Sequence, residues 1–287
     1  MQIAYLIITY TDPVQTGRMI GQLSDANTRF YIHLDKKVAI SAHAALQQHP
    51  QVTFVEKRVN VRWAGYSTVQ AIFNGIEAIL TSGISFDYIC LLSGQDYPIK
   101  TPAEISGFFE QHKGKLFLKY RAFAGDWEEA FERISKYHLI DYRFPGKFFT
   151  ENLINRLLPA PERPAGMQFY GSSMFWAISP QAADYVWKKI EQEPGLKRFF
   201  RYTWGPDEFL FQTILLNSEF SDLVVNSNCH YYKHKPLTPN PEWLGMQDLA
   251  DLKLSDKLFA RKFSIKKDAA ILDAIDGMLT ERKTVEN

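Results

Sequence analysis

A chain of 287 residues with 46% hydrophobic content is long enough to bury the core of one sizeable α/β domain, or of two small ones. Its 33 Lys and Arg nearly cancel its 32 Asp and Glu, so no net field draws it to nucleic acid or to an anionic membrane. Two cysteines, Cys90 and Cys229, are too few for a disulfide framework or a structural zinc site, and a reducing compartment is expected.

The apolar start, Met1 to Ile8, is short and lacks both the charged lead and the cleavage site of a signal peptide. No apolar run is long enough to span a bilayer, so the expectation is a soluble, cytoplasmic protein, with peripheral attachment to the inner membrane left open. Residues 3–9 read as a buried strand, and 14–23 as a helix introduced by Thr11-Asp12-Pro13. Strands follow at 30–34, 52–55 and 88–92, with helices at 42–48 and 67–82. Strands alternating with helices predict a doubly wound, mostly parallel sheet flanked by helices, with ligands at the carboxyl ends of the strands. Regularity fades from 115 to 164, which ends in a proline-rich loop at 158–164. A strand at 175–179 and helices at 181–191, from Pro206 to 216, and at 268–279 complete the pattern. One domain is expected, divided into a nucleotide-binding half (1–112) and an acceptor-binding, catalytic half (113–287).

Four stretches carry more polar chemistry than packing requires. Ile32-His33-Leu34-Asp35 ends a strand, where Asp35 can accept hydrogen bonds from a base or ribose. Arg62-Trp63-Ala64-Gly65-Tyr66-Ser67 leads into a helix that Ser67 can cap, with Gly65 allowing close backbone approach. Ser93-Gly94-Gln95-Asp96-Tyr97-Pro98 crowds hydrogen-bonding types onto another strand end. Gly171-Ser172 and Gly205-Pro206-Asp207-Glu208 form the fourth, in which Asp207 and Glu208 stand near a helix start and a carboxylate can serve as general base. Each also suits an ordinary solvated turn or acidic helix start. Downstream, Lys233, Lys235 and the Arg261-Lys262 pair are candidates to neutralise a diphosphate. Asp-x-Asp, Gly-x-Gly-x-x-Gly, Gly-Lys-Ser/Thr, His-Glu-x-x-His and Gly-x-Ser-x-Gly patterns are absent from the sequence.

Taken in order, Ala4-Tyr5-Leu6-Ile7, Ile32-His33-Leu34-Asp35, Leu92-Ser93-Gly94-Gln95-Asp96-Tyr97-Pro98-Ile99, Gly171-Ser172, Pro206-Asp207-Glu208 and Phe259-Ala260-Arg261-Lys262-Phe263 resemble the core-2/I-branching glycosyltransferases. That family includes branching β-1,6-N-acetylglucosaminyltransferases and peptide O-xylosyltransferases. The resemblance implies a GT-A-like fold and inverting, metal-independent transfer of N-acetylglucosamine or xylose from a UDP-sugar to a glycan or glycolipid hydroxyl. No cofactor or metal is implied. It makes Glu208 the catalytic base and Lys262 a phosphate ligand, puts Asp35 near uracil and ribose, and puts Asp96 in the donor and acceptor cleft. Arg62, Trp63, Ser93, Gln95, Tyr97, Ser172 and Asp207 are expected around that cleft. The family's second phosphate-binding arginine aligns here with Pro239, so Arg261 is ranked first as its substitute, ahead of Lys233 and Lys235. The membrane anchor, stem and disulfides of the animal enzymes have no counterpart in the sequence, which suits a bacterial relative. The alternatives are a catalytically inactive carbohydrate-binding relative and a nucleotidyltransferase; the latter usually needs metal-binding carboxylates.

Overall fold

The computed structural model describes residues 1–234 and 240–286. Its strands are β1 (Ile3–Thr9), β2 (Thr28–Leu34), β3 (Val52–Phe54), β4 (Tyr88–Ser93), β5 (Asp96–Pro98), β6 (Leu116–Ala122), β7 (Tyr170–Ile178), β8 (Val224–Val225), β9 (His230–Tyr231) and β10 (Phe259–Arg261). The chain divides into two compact units, and neither is continuous. One comprises Met1–Val55, Ser85–Gly114 and the chain from Cys229 onward; the other comprises Glu56–Ile84 and Lys115–Asn228. A linear reading halves the chain once near residue 112, because sequence order does not reveal that the chain from Cys229 returns to the first unit.

In the first unit, β1 pairs in parallel with β2 and β4, and β2 in parallel with β3. Ile3, Ala4, Tyr5, Leu6 and Ile7 are all buried, as expected of a parallel strand covered on both faces. The Tyr5 ring stacks on Phe30 with centroids 5.4 Å apart. The helix Pro13–Leu23 starts as the sequence predicts: the Asp12 carboxylate accepts the Val14 amide at 2.9 Å and Pro13 takes the first turn. A smaller sheet pairs β5 antiparallel to β10, and β10 parallel to β9. Cys90 and Cys229 are both buried and neither is in a disulfide.

The second unit pairs β6 antiparallel to β7 and parallel to β8, with a register shift between Leu118 and Tyr120. Phe211, from the helix Leu210–Leu216, packs at 4.9 Å from Trp176 and 5.8 Å from Phe73. That segment of faded regularity holds β6 and the helix Lys147–Leu157. The β6 pattern escapes notice because its buried run, Leu116 to Leu118, is short and gives way to Lys119, Tyr120 and Arg121.

Two local expectations are corrected. Ser67 is not the cap of the helix Tyr66–Leu80; Gly65 occupies that position without a side-chain bond. The capping carboxylate is supplied from afar by Asp141, whose Oδ2 accepts the Ser67 amide at 3.0 Å while its Oδ1 accepts the Ser67 hydroxyl. Gly65 is indeed a point of close approach, since a Cβ there would lie 2.2 Å from the Asp141 carboxylate. The helix expected from Pro206 is interrupted: Pro206–Glu208 is a 3-10 turn, Phe209 adopts φ −144°, and the α-helix begins at Leu210.

Candidate active site

Parallel register brings the carboxyl ends of three strands of the first unit together, with Thr9 opposite Leu34 and Ile8 opposite Ser93. Asp35 follows β2 directly. It is buried, its Oδ1 accepts the Lys37 amide at 2.9 Å, and its Oδ2 lies 3.2 Å from the Lys37 ammonium. Gly94 lies against Thr9 and Thr11, and an added Cβ would come within 2.2 Å of both hydroxyls. Gln15 fastens this loop by donating to the Gly94 carbonyl at 2.9 Å and the Phe263 carbonyl at 3.1 Å. The Gln95 carbonyl accepts the Phe263 amide at 2.9 Å, which ties the loop to the chain leaving β10.

Asp96 is fully buried and opposite Arg261 in the small sheet. Arg261 Nε donates to its Oδ1 at 3.0 Å, and its Oδ2 accepts the Ser93 amide. Tyr97 is placed in the core rather than facing a cleft, with its hydroxyl donated to Asp276 at 2.6 Å. Lys233 is ion-paired to Asp248 at 2.7 Å and Asp251 at 2.8 Å, so its charge is already answered. Lys262 differs: no carboxylate ion-pairs with it among the described residues, and its ammonium lies 4.6 Å from the Trp243 ring. Lys267 approaches the same ring at 5.4 Å. Burial, followed by the charges of Arg261 and Lys267, pushes the Lys262 ammonium below its usual range. A phosphate would relieve that charge crowding. Lys235 and Pro239 lie outside the described residues.

In the second unit, Glu208 Oε2 accepts a 2.6 Å hydrogen bond from Arg133, and the Glu208 side chain remains 34% exposed. The Arg133 guanidinium lies 4.5 Å from the ring centroids of both Trp127 and Trp204. Trp204 in turn meets the exposed Trp63 edge to face at 5.2 Å. The turn is held on both sides. Gly205 takes a left-handed conformation and donates its amide to the Ala64 carbonyl at 2.8 Å. Gly171 of β7 packs so closely that an added Cβ would sit 2.4 Å from Phe209 Cβ and 2.7 Å from the Glu208 carbonyl. Ser172 lies opposite Tyr120 in the β6–β7 ladder. Asp207 is buried with Oδ1 lacking a hydrogen-bond partner among the described residues. Burial, then the neighbouring Glu208 charge, pushes its carboxyl up to about 7. Arg62 binds the helix start through its backbone, its amide donating to Ser67 Oγ at 2.8 Å.

Arg133, Trp127, Asp141, Trp243 and Lys267 escape the sequence reading. Arg133 is 75 residues from Glu208 and Asp141 is 74 from Ser67, and no local pattern signals either pairing.

The chain's curated relatives include the Xylosyltransferase oxt of Drosophila melanogaster, 27% identical over 90% of this chain and 31% of that protein. The Beta-glucuronosyltransferase GlcAT14B of Arabidopsis thaliana is 24% identical over 98% of this chain and 67% of that protein. The chain thus spans about a third of the length of the xylosyltransferases it matches. Among solved structures, a galactosyltransferase, LgtC, in complex with donor and acceptor sugar analogs superposes with a TM-score of 0.46 at 10% identity, covering 91% of this chain and 87% of that one. The expected α/β architecture with a mostly parallel sheet is met, and the family model described as Core-2/I-Branching enzyme matches residues 3–255: the chain belongs to the Core-2/I-Branching enzyme family.

Proposed function

We propose that the chain is an inverting glycosyltransferase that acts without a metal, with Glu208 as its catalytic base and Lys262 as the main cation for the donor's diphosphate. The carrying observation is the Glu208 carboxylate itself. Arg133 fixes one oxygen, Oε1 keeps its capacity to accept a hydroxyl, and the indoles of Trp204 and Trp63 stand nearby as surfaces suited to a sugar face. Proton transfer from an acceptor hydroxyl to Glu208 accompanies formation of the new oxygen–carbon bond at the anomeric centre. The bond to the nucleoside diphosphate breaks on the opposite face, and its electron pair leaves with the diphosphate. Lys262 answers that charge, and Arg261, held by Asp96, adds a second positive charge beside it.

The names of the relatives favour xylose and add glucuronic acid to the candidate sugars, beside N-acetylglucosamine. The acceptor class is a glycan or glycolipid hydroxyl. Metal independence rests on the missing Asp-x-Asp and on the basic cluster around Lys262. The test is Glu208→Gln assayed with a panel of UDP-sugars: donor binding should persist while transfer falls about 10²–10⁴-fold. Undiminished transfer would remove Glu208 from the role, strict dependence on manganese would remove the metal-free reading, and wild-type binding without any transfer would favour the inactive carbohydrate-binding relative.

A further inference from the structure

The helix Lys147–Leu157 is attached to its unit by its polar side. Glu151 accepts the Leu139 amide at 2.8 Å. Asn155 accepts the Tyr137 amide at 2.7 Å and donates to the Tyr137 carbonyl at 2.8 Å. None of the helix's residues is buried. At 100° per residue, Phe149, Leu153 and Leu157 fall on the side away from Glu151 and Asn155, while Phe148 belongs to the first turn on the Asn155 side and is exposed as well. Phe148, Phe149 and Leu157 are 74%, 72% and 70% exposed. A surface helix ordinarily turns the other way, apolar side in, so this contiguous apolar display is an interaction surface.

The charged residues that line the cavity beside it have one sign. A cavity of about 390 Å³ opens at the start of the helix, between Tyr142, Phe144 and Phe148, and its charged lining residues are Arg62, Arg143 and Lys147. Lys147 extends its ammonium over the Phe148 ring at 5.1 Å. Arg156 lies on the exposed apolar side, where a long stem can cover carbon while its head reaches outward. Apolar side chains ringed by arginine and lysine match the boundary between acyl chains and lipid phosphates. A second copy of the same face would instead oppose cation to cation across a two-fold axis. The overall charge of +1 does not prevent this, because surface attraction is felt within a Debye length and is set by the local cluster.

We propose that this face docks on an anionic phospholipid bilayer, with the helix lying in the plane of the surface, Phe148, Phe149 and Leu157 inserted, and Arg143, Lys147 and Arg156 on lipid phosphates. The proposal is independent of the transfer reaction. It is tested by co-sedimentation of the whole chain with vesicles of phosphatidylcholine alone, or of equal parts phosphatidylcholine and phosphatidylglycerol. Binding to the anionic vesicles should be at least about tenfold tighter and should weaken with salt. The Phe148→Ser, Phe149→Ser, Leu157→Ser variant should bind about 100-fold more weakly with an unchanged thermal melt, since these side chains are exposed. The Arg143→Gln, Lys147→Gln, Arg156→Gln variant should lose the preference for anionic lipid. No association with either vesicle overturns the proposal, as does equal binding by the serine or the glutamine variant. A dimer dissolved by the serine substitutions in sedimentation velocity would assign the face to a second copy instead.

Discussion

Asp207→Asn isolates the electrostatic strain stored beside Glu208. In the folded chain the Asp207 carboxyl is pushed up to about 7 from its ordinary value of 3.8, by burial first and by the Glu208 charge second. A raised folded-state value means that the unfolded chain ionises first. The contribution of Asp207 to stability is therefore fully present below about pH 4, declines as pH rises, and stops declining once pH has passed about 7. At roughly 1.4 kcal/mol per pH unit, the two units between about pH 5 and 7 amount to roughly 2–3 kcal/mol. Asparagine keeps the shape and removes the titration. Urea unfolding of both proteins at about pH 5 and pH 8.5 should show the wild type losing roughly 2–3 kcal/mol more than the variant across that interval. Parallel pH dependence in the two proteins would refute the claim that Asp207 ionises at a cost.

Lys262→Met should weaken UDP binding roughly tenfold or more in calorimetry, the worth of a charge-assisted phosphate contact. The same substitution should not lower the ligand-free melting temperature, because burial and the neighbouring cations already disfavour the charged ammonium. A large loss of stability with intact UDP binding would make Lys262 structural. Gly171→Ala should cost about 1–3 kcal/mol in denaturant unfolding, since its Cβ would meet Phe209 at 2.4 Å and the turn must shift. Transfer should fall further than the unfolded fraction explains, because the displaced carbonyl belongs to Glu208; a purely proportional loss would separate the turn from catalysis.

β1 and β4 are legible in the sequence because both of their faces are covered, which leaves uninterrupted apolar runs such as Ile3 to Ile7. Asp12-Pro13 announces its helix for an equally local reason. β5, β9 and β10 are two or three residues long and exist through their partners, so no window of sequence signals them. The site divides in the same way. Asp35, Gly94 and Glu208 stand out by position at strand ends and at a turn, whereas Arg133 and Asp141 become partners through folding alone. The helix Lys147–Leu157 is obscured for a different reason: its apolar stripe faces outward, so its pattern does not reveal which side meets protein.

The interleaving of the two units bears on how this chain can be synthesised and dissected. Neither unit is a stretch that a ribosome could finish and release to fold alone, since the first waits for the chain from Cys229 onward and the second for residues up to Asn228. During translation, β1, β2 and β4 emerge long before the β10 segment whose Arg261 neutralises the buried Asp96. Until that segment arrives, a carboxylate destined for the interior has no guanidinium beside it, and the nascent sheet has reason to stay open at that corner. Cutting the gene near residue 112 would therefore yield a fragment lacking its own keystone rather than a portable nucleotide-binding module.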